Sequence, residues 1–266
     1  MKQSDTRKND ILDILKRENK VHVPDLSDRF GVSEVTIRKD LKELEDRGLL
    51  RRVHGGAECI RQDRVAVEST LSELVTLHPA EKRAIARRAF GFIEDGDAIL
   101  LDASTTTREL AHLLRDSDLA DLTVITPSAE IAIELVACPR IQVILIGGIM
   151  RPSLNTTMGP IATDTLKQLH ADKAFIGVNG VDAQVGLTTQ NILECEMKRC
   201  IIEASTRSFV LADASKLNAI ALGVIGPVSA VDYIVTEATI SSRLKAKLEE
   251  QGVEVVTVEV ADPTDA

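Results

Sequence analysis

Short apolar runs alternate with helical patterns along most of the chain, and this alternation constrains its fold more than any other feature. Ala-Ile-Leu-Leu at 98–101 and Val-Ile-Leu-Ile at 143–146 lack the alternating polar positions of a strand that faces solvent. Such strands need cover on both faces, which parallel strands connected by helices provide. We therefore predict an α/β fold with a mainly parallel sheet.

The periodicity also gives bounds for the elements of this region. The predicted strands are Ala98–Asp102, Leu122–Thr126, Ile141–Ile146, Lys173–Val178, Ser208–Ala212, Tyr233–Thr236 and Val253–Val258. The predicted helices are one from Glu81 to near Gly96, followed by Thr105–Arg115, Ala129–Ala137, Thr163–Leu169, Gln190–Ser205 and Ser241–Gln251. In such folds, ligands lie at the carboxyl ends of the strands.

Polar residues collect at four of these carboxyl ends, namely at Asp102–Thr107, Thr126–Ser128, Gly147–Arg151 and Asp213–Lys216. The four hydroxyl residues at 104–107 open a helix, where free backbone N–H groups and the helix dipole favour an anion. Two plainer interpretations stay open: the hydroxyl groups only cap the helix, and the two glycines only form a turn. Together the four segments predict a phosphate-binding edge of the sheet.

Glu194 and Lys198 lie four residues apart on a predicted helix. In this order and spacing, a salt bridge along the helix is the plain interpretation. The alternative is that Lys198 neutralises an acidic ligand.

The first part of the chain follows a different pattern, that of short helices and a hairpin. Apolar spacing predicts a helix over Arg7–Glu18, and Val21-His22-Val23 is a short β-type stretch. A second helix begins at Pro24 and ends at Gly31, and a third covers Ser33–Arg47. Two helices joined by a tight glycine turn form the helix-turn-helix pattern, whose second helix enters the DNA major groove.

The outward face of the third helix carries residues suited to DNA. Ile37, Leu41 and Leu44 turn inward, and Ser33 is the N-cap. The opposite face then carries Val35, Arg38, Lys39 and Lys42, with Thr36 on its flank. Arg and Lys contact guanine edges or phosphates, and valine suits a thymine methyl group. The alternative is a solvated helix face in an interaction domain.

The segment Leu49–Gly56 predicts a strand followed by a sharp turn. A hairpin here would form a wing beside the third helix. Arg51, Arg52 and His54 would then lie against the DNA backbone or the minor groove.

The net charge of −9, taken alone, argues against a protein that binds a polyanion. The charge is uneven, however. Residues 1–64 hold 15 Lys and Arg against 13 Asp and Glu, a net of +2, whereas residues 65–266 hold 17 against 28, a net of −11. The acidity therefore belongs to the α/β region, and the objection to DNA binding by the first segment weakens.

Other features of the composition exclude further classes. Five Phe, one Tyr and no Trp argue against a single-strand binder that stacks bases on aromatic rings. Neither the four cysteines nor His22, His78, His112 and His170 have metal-ligand spacing, so we expect buried thiols, no metal and no cofactor. No signal-peptide core and no apolar run of membrane-spanning length occurs, so we expect a cytoplasmic protein.

Three segments of the first part resemble the signature of DeoR-type bacterial transcription regulators. They are Gly31-Val32-Ser33-Glu34-Val35-Thr36-Ile37-Arg38-Lys39-Asp40-Leu41, Leu44-Glu45-Asp46-Arg47-Gly48 and Arg52-Val53-His54-Gly55-Gly56-Ala57. Lys39 stands where arginine is usual, which keeps the charge but loses bidentate geometry. The resemblance implies a winged helix-turn-helix that binds double-stranded operator DNA.

The α/β region resembles the sensor domain of the same family, which is similar in fold to ribose-5-phosphate isomerase and glucosamine-6-phosphate deaminase. The resemblance implies that a sugar phosphate is held by Asp102, Ser104, Thr105, Thr106 and Thr107. Further candidates on the same ground are Ser128, Gly147, Gly148, Arg151, Lys198 and Lys216.

Two differences from the usual family pattern affect this site. Ala103-Ser104 stands where glycine is common, so an added side chain narrows the loop. Pro127 stands where asparagine is common, so an amide donor and a backbone N–H are both missing. The effector is therefore expected to be held differently, or to be a less typical sugar derivative.

We predict three segments: a winged helix-turn-helix DNA-binding domain at 1–58, a linker at 59–79, and an α/β effector-binding and oligomerisation domain at 80–260. The expected function is transcriptional regulation, as a repressor of a sugar-catabolism operon that leaves its operator when a phosphorylated sugar or a related derivative binds. One recognition helix reads only a few base pairs, so we expect a homodimer or a homotetramer.

The alternative is a sugar-phosphate isomerase or deaminase with an N-terminal DNA-binding appendage. Asp102, Asp213 and Glu194 would then act as acid or base, with Lys198 or Lys216 as electrophile. A fold alone does not carry an activity, and the complete DNA-binding signature favours the regulator.

Overall fold

The computed structural model describes residues 7–8, 10–12, 14–15, 20–46, 50–53, 55–58 and 71–260. The chain divides into two compact units, Met1–Val65 and Ala66–Ala266. Within the described ranges, every helix is too short or too polar to cross a membrane. His54, Cys59 and the side chain of Arg51 lie outside the described part.

The first unit contains the predicted helix-turn-helix and a hairpin. Its elements, after helical residues among 7–15, are β1 Lys20–His22, α1 Val23–Phe30, α2 Glu34–Asp46, β2 Arg51–Val53 and β3 Gly56–Glu58. The strands form one antiparallel sheet in the order β1-β3-β2. Gly31 ends α1 with φ at 62°, a left-handed conformation that glycine adopts without steric cost.

The core of this unit combines residues from most of its elements, which explains why so short a segment folds as one unit. The side chains of Ile37, Leu41 and Leu44 are almost completely buried, as the predicted inward face of α2 requires. They pack in one cluster with residues of the first helical segment, α1 and the sheet, namely Ile11, Ile14, Leu15, Val21, Val23, Leu26, Leu50 and Ala57.

The second unit is the predicted α/β domain. Its helices are α3 Leu71–Thr76, α4 Pro79–Phe90, α5 Thr105–Arg115, α6 Ala129–Leu135, α7 Pro160–Leu166, α8 Ile192–Glu203 and α9 Ser242–Glu249. Its strands are β4 Ala98–Leu101, β5 Leu122–Thr126, β6 Ile141–Leu145, β7 Ile149–Arg151, β8 Thr156–Met158, β9 Ala171–Gly177, β10 Gly180–Asp182, β11 Gly186–Thr189, β12 Ser205–Leu211, β13 Gly223–Gly226, β14 Tyr233–Glu237 and β15 Glu254–Val258. Short 3₁₀ turns lie at Ala214–Lys216 and Val228–Ala230.

A seven-stranded sheet in the order β15-β14-β12-β9-β4-β5-β6 forms the centre of the unit, and all of its neighbouring strands are parallel. The predicted mainly parallel sheet is confirmed. Alternate residues of β4 enter different clusters, Leu100 on one face and Ile99 and Leu101 on the other. The sheet is thus covered on both faces, which is why β4 and the later residues of β9 and β12 form continuous buried runs.

Some predicted bounds were wrong. The helix expected from Glu81 to near Gly96 is α4, which ends at Phe90 because the chain turns at Gly91. The helix expected over Thr163–Leu169 is α7, which begins at Pro160, since proline suits the first turn. The five strands β7, β8, β10, β11 and β13 were not predicted, because three or four residues are too few to show a periodicity.

The order of the strands reverses between β4 and β9. From β4 the chain continues to β5 and β6 on one side, and the later strands β9, β12, β14 and β15 extend the sheet on the other. At such a switch point the loops after two neighbouring strands diverge and leave a crevice at their carboxyl ends. The fold therefore places a ligand site beside Asp102 and Gly177, which lie at the carboxyl ends of these two strands.

Candidate functional site

The exposed face of α2 presents the residues that the sequence selected for DNA. Val35 is 71% exposed, a high value for a large apolar side chain, and Arg38, Lys39 and Lys42 are also exposed. Thr36 is half-buried beside them. The structure therefore brings these five side chains to one side of the helix, opposite its buried stripe.

The N-terminus of α2 has the expected cap. The exposed Ser33 accepts a hydrogen bond at its Oγ from the backbone N–H of Thr36 at 3.3 Å, and the two hydroxyl groups lie 2.9 Å apart. One turn further along, a guanidinium nitrogen of Arg38 lies 2.6 Å from Glu34. Glu34 thus orients Arg38 along the helix surface.

Two contacts fix α2 to the rest of its unit. Asp40, on the buried side, accepts from Arg7 at 2.6 Å. Glu45 accepts the backbone N–H of Arg52 at 3.0 Å, which connects α2 to the first strand of the hairpin. The guanidinium group of Arg52 is partly exposed and lies 3.9 Å from the same Glu45 carboxylate.

The loop after β4 is organised around Asp102, whose carboxylate is almost completely buried. One oxygen accepts from the N–H of Ser104 at 3.0 Å and from the hydroxyl of Thr107 at 2.9 Å. The other accepts from the N–H of Gly177 at 3.0 Å and from the ammonium group of Lys198. Both oxygens accept hydrogen bonds from the protein, so Asp102 shapes the loop. An ionised carboxylate has no proton to donate, so a phosphate dianion gains no hydrogen bond from it.

The salt bridge expected along α8 between Glu194 and Lys198 was wrong. Lys198 instead pairs with Asp102, and Glu194 pairs with Arg151 at 2.6 Å and accepts from Thr189 at 2.8 Å. Burial alone lowers the pKa of Lys198, but the carboxylates of Asp102 and Glu194 outweigh this and raise it. Lys198 therefore stays charged, with its charge compensated inside the protein.

A cavity of about 110 Å³ opens at the carboxyl ends of β4 and β9. Its polar wall consists of Lys82, Asp102, Ser104, Thr105, Thr106, Thr156, Thr157, Asn179, Glu194, Lys198, Asp213 and Lys216. Its apolar wall includes Leu74, Leu77, Leu154, Met158, Val178, Met197, Ile201 and Leu211. Such a mixture of charged, hydroxyl and apolar groups suits a small polar molecule with an anionic group.

The N-terminus of α5 faces this cavity. Ser104 is its N-cap and accepts from the N–H of Thr107 at 3.2 Å. The amides of Thr105 and Thr106, in the first turn, have no acceptor within the helix. Both the capping function and the anion site predicted for these hydroxyl residues are therefore compatible with the geometry.

Lys82 was not selected from the sequence, although it belongs to the cavity wall. Its side chain is 5% exposed and shares the buried stripe of α4 with Ile85, Ala86 and Ala89. Burial lowers its pKa, which the carboxylate of Asp213 partly opposes. A lysine at an apolar position of an amphipathic helix is the signal that identifies it, because buried lysines without a role are rare.

Two hydroxyl residues proposed from the family resemblance are turned into the protein. Thr107 is completely buried, and its hydroxyl donates to Asp102. Ser128 caps α6 by accepting from the N–H of Ile131 at 3.3 Å. Neither lies on the cavity wall, so their contribution is to hold the loops that do.

The glycine pair after β6 and Arg151 are also away from the cavity wall. Gly148 has φ at 149°, and a Cβ there would lie 2.8 Å from the carbonyl oxygen of Met158, so glycine lets β7 and β8 pair closely. Gly147 is exposed. Arg151 contacts Glu194, which does line the cavity.

Both differences from the family pattern occur at the cavity. The side chain of Ser104 packs against Gly177, where an added Cβ would lie 2.4 Å from the Ser104 Cβ. Pro127 lines the cavity, and its carbonyl oxygen accepts from the N–H of Thr157 at 2.9 Å. Each residue therefore occupies space and fixes a neighbouring segment.

The three described cysteines, Cys138, Cys195 and Cys200, are buried free thiols. Burial raises the pKa of Cys195 and Cys200, which keeps them protonated. Among the residues that the structure describes, no group of His, Cys, Asp and Glu side chains is arranged to hold a metal ion.

Two family models match the chain, one on each unit. Residues 7–63 match the DeoR-like helix-turn-helix domain, and residues 77–238 match the DeoR C-terminal sensor domain. The second match alone covers more than half of the chain.

Similar proteins align over nearly the whole length. The transcriptional regulator GolR of Listeria innocua is 34% identical over 253 residues, which are 95% of this chain and 98% of that protein. The putative aga operon transcriptional repressor of Escherichia coli O157:H7 is 32% identical, over 95% and 93% of the two chains. The glycerol-3-phosphate regulon repressor of Escherichia coli K12 is 31% identical, over 90% and 92%.

Solved structures share only part of the architecture. Ribose 5-phosphate isomerase A from Methanocaldococcus jannaschii aligns with a TM-score of 0.37 and 21% identity, over 51% of this chain and 53% of that one. The β subunit of eIF2B from Chaetomium thermophilum aligns with a TM-score of 0.43 and 18% identity, over 61% and 52%.

The sequence relatives named for a function are regulators or repressors of transcription, which favours the regulator over the enzyme. Both family models and the helix-turn-helix followed by an α/β unit lead to the same conclusion. The chain belongs to the DeoR family of transcriptional regulators.

Proposed function

We propose that this regulator is a repressor of a sugar-catabolism operon and that a phosphorylated sugar, or a related derivative, releases it from operator DNA. Residues 1–58 are the DNA-binding domain, 59–79 the linker, and 80–260 the effector-binding and oligomerisation domain. In the DNA-bound state, α2 lies in the major groove with Arg38, Lys39 and Lys42 toward the bases and phosphates.

One observation carries the effector half of this proposal: two lysines and a helix N-terminus face the same cavity. Lys82 and Lys216 line it together with Thr105 and Thr106 of the first turn of α5. Ammonium groups and free amide N–H groups at a helix N-terminus are the donors that bind phosphate in proteins.

Two of the three carboxylates of the cavity oppose an anion only weakly, because each pairs with a cation of the protein. Asp102 is neutralised by Lys198, and Glu194 by Arg151. Asp213 accepts from the N–H of Ser215 at 3.0 Å and keeps its charge, which Lys82 partly offsets. Two further cations of the wall, Lys82 and Lys216, then lie within reach of a bound phosphate group.

The rest of the wall suits the body of a sugar. Asn179 brings an amide group to the wall. The hydroxyl groups of the β8 threonines donate to protein carbonyls, so their oxygens would accept from sugar hydroxyls, while Leu154 and Met158 cover an apolar face. One relative is named for a glycerol-3-phosphate regulon, which supports a phosphorylated polyol or sugar as the ligand class.

A homodimer or homotetramer belongs to the proposal, because a two-fold axis doubles the number of base pairs that are read. Exposed apolar side chains next to β13 support an assembly surface, namely Ile192, Leu193, Ile220, Leu222 and Val224. Sedimentation of the full chain tests this part: a monomer at micromolar concentration contradicts it.

The experiment for the function uses a duplex selected by the full-length protein from random DNA. Its affinity is titrated with ribose 5-phosphate, glucosamine 6-phosphate and glycerol 3-phosphate, each against its unphosphorylated parent. We expect a phosphorylated compound to weaken DNA binding by about fivefold or more, and its parent to have no effect. An affinity that none of the compounds changes refutes the sensor half, and turnover of ribose 5-phosphate would favour the enzyme.

A further inference from the structure

Lys82 faces the cavity from the first turns of α4 and also contacts α3. Its ammonium group donates a hydrogen bond to the backbone carbonyl of Leu74. The same carbonyl accepts the N–H of Leu77 at 3.3 Å. Carbonyl groups in the last turn of a helix lack partners within it, and a cation stabilises them. One ammonium group thus serves both the cavity and the end of α3.

Helix α3 lies at the start of the second unit, so that the chain before it leads back to the helix-turn-helix. The side chains of Leu74 and Leu77 line the cavity as well. An occupant of the cavity therefore touches the segment that connects the two units along the chain.

Between α3 and α4 the chain bends at His78, which has φ at 50° and ψ at 49°. This left-handed conformation is uncommon for a residue other than glycine and persists only where the surroundings hold it. The bond from Lys82 to Leu74 spans the bend, with one partner on each side. It is a contact that fixes the angle between α3 and α4.

We propose that Lys82 binds the anionic group of the effector and that this transmits binding to the DNA-binding domain. The anion draws the ammonium group away from the Leu74 carbonyl, the bend at His78 is released, α3 shifts, and operator affinity falls. The inference rests on the proposed function, since it takes the cavity to be the site of an anionic effector.

Lys82 and Lys198 are the two buried lysines of the cavity wall. The charges around them explain why Lys82 is the one that responds to an anion. Asp102 compensates Lys198 directly, whereas Lys82 has a neutral carbonyl as its hydrogen-bond partner. A phosphate oxygen is a stronger acceptor than a carbonyl oxygen, because its charge assists the hydrogen bond. Binding therefore favours the conformation in which Lys82 has turned to the ligand.

Three variants of the full chain separate the transmitting role from simple binding. Lys82→Met removes the ammonium group and keeps an unbranched side chain, and Lys82→Arg keeps a cation with donors. Arg83→Met removes a cation from an exposed position of the same helix, away from the cavity wall. The readouts are affinity for the selected duplex without any effector, and amide hydrogen exchange of residues 74–77.

We expect Lys82→Met to lower effector-free operator affinity by about fivefold or more and to speed exchange of residues 74–77. Lys82→Arg is expected to lose much less than Lys82→Met, because it keeps a cation that donates, and Arg83→Met is expected to retain the wild-type values. An unchanged affinity in Lys82→Met, or an equal loss in Arg83→Met, overturns the inference.

If Lys82→Met does not fold, amide exchange of the wild-type protein tests the inference instead. Inorganic phosphate at millimolar concentration, compared with chloride at equal ionic strength, is expected to speed exchange of residues 74–77; unchanged exchange counts against the inference. A wild-type protein that selects no duplex refutes the proposed function, and the exchange measurements still test the contact between Lys82 and Leu74.

Discussion

The ammonium group of Lys198 on α8 donates a hydrogen bond to the carboxylate of Asp102 after β4, although the two residues are 96 positions apart. Both side chains are almost completely buried. The pair therefore fixes α8 to the carboxyl end of the sheet and holds the loop that leads into α5.

Asp102→Asn should destabilise the protein by about 3 kcal/mol or more, because it leaves the Lys198 ammonium buried without its counter-charge. Urea unfolding followed by circular dichroism measures the loss. In the double variant with Lys198→Met, no isolated charge remains, and we expect much of the stability to return.

The double variant is the control that identifies the cause. If the losses of Asp102→Asn and Lys198→Met simply add, the two groups are independent, and the pair does not hold the loop.

The parallel sheet could be predicted from the sequence because several of its strands contain a short continuous run of apolar residues. β4 and β9 have almost every side chain buried, and such a pattern has one interpretation at this length. β7 and β10, by contrast, are three residues long, and their positions depend on partners elsewhere in the chain.

The candidate site was predictable only where residues follow a strand directly. Asp102 and Ser104 were found in this way. Lys82 was missed: its position on the apolar stripe of α4 indicates burial, but its place in the cavity depends on how α4 packs on the sheet. The partner of Lys198 was missed for a related reason: a local i,i+4 rule selected Glu194, whereas tertiary packing brought Asp102 closer.

Gly177→Ala should destabilise the second unit by about 1–3 kcal/mol through overpacking. A Cβ at this position would lie 2.4 Å from the Ser104 Cβ and 2.6 Å from its Oγ. Adding Ser104→Gly removes the atoms that collide and should recover part of the loss. Thermal unfolding of the single and double variants measures both effects.

Gly147→Ala is the matched control for this substitution. A Cβ there would meet no atom within 4 Å, so the unfolding temperature should be unaffected. If Gly147→Ala costs as much as Gly177→Ala, the loss does not come from the contact with Ser104, and the prediction fails.

Arg38→Ala should weaken binding to the selected duplex by about 1–3 kcal/mol if Arg38 contacts a base, with relaxed specificity at one position of the site. Arg38→Lys should recover little, since lysine lacks the bidentate geometry. Fluorescence anisotropy on the duplex and on single-base variants of it gives both quantities.

Lys42→Ala provides the comparison on the same helix face. A phosphate contact predicts weaker binding to every duplex and a salt dependence whose slope falls by about one. Equal losses on all duplexes for Arg38→Ala as well would show that Arg38 contacts the backbone, and the base-reading assignment would fail.

Glu237→Gln should stabilise the protein at neutral pH and change little in acid. Burial raises the pKa of Glu237 above its ordinary 4.5, and the carboxylate of Asp213 adds to this. The fold thus favours the neutral form, and its contribution to stability is complete below the ordinary pKa and is lost as pH rises through the folded-state value. Urea unfolding between about pH 4 and pH 8 should therefore show glutamine gaining on glutamate as the pH rises.

Glu254→Gln, at an exposed position of β15, is the matched control for the titration of Glu237. This substitution removes an exposed carboxylate instead of a buried one. If Glu254→Gln gained as much stability with rising pH as Glu237→Gln, the burial of Glu237 would not be the cause of the gain, and the prediction would fail.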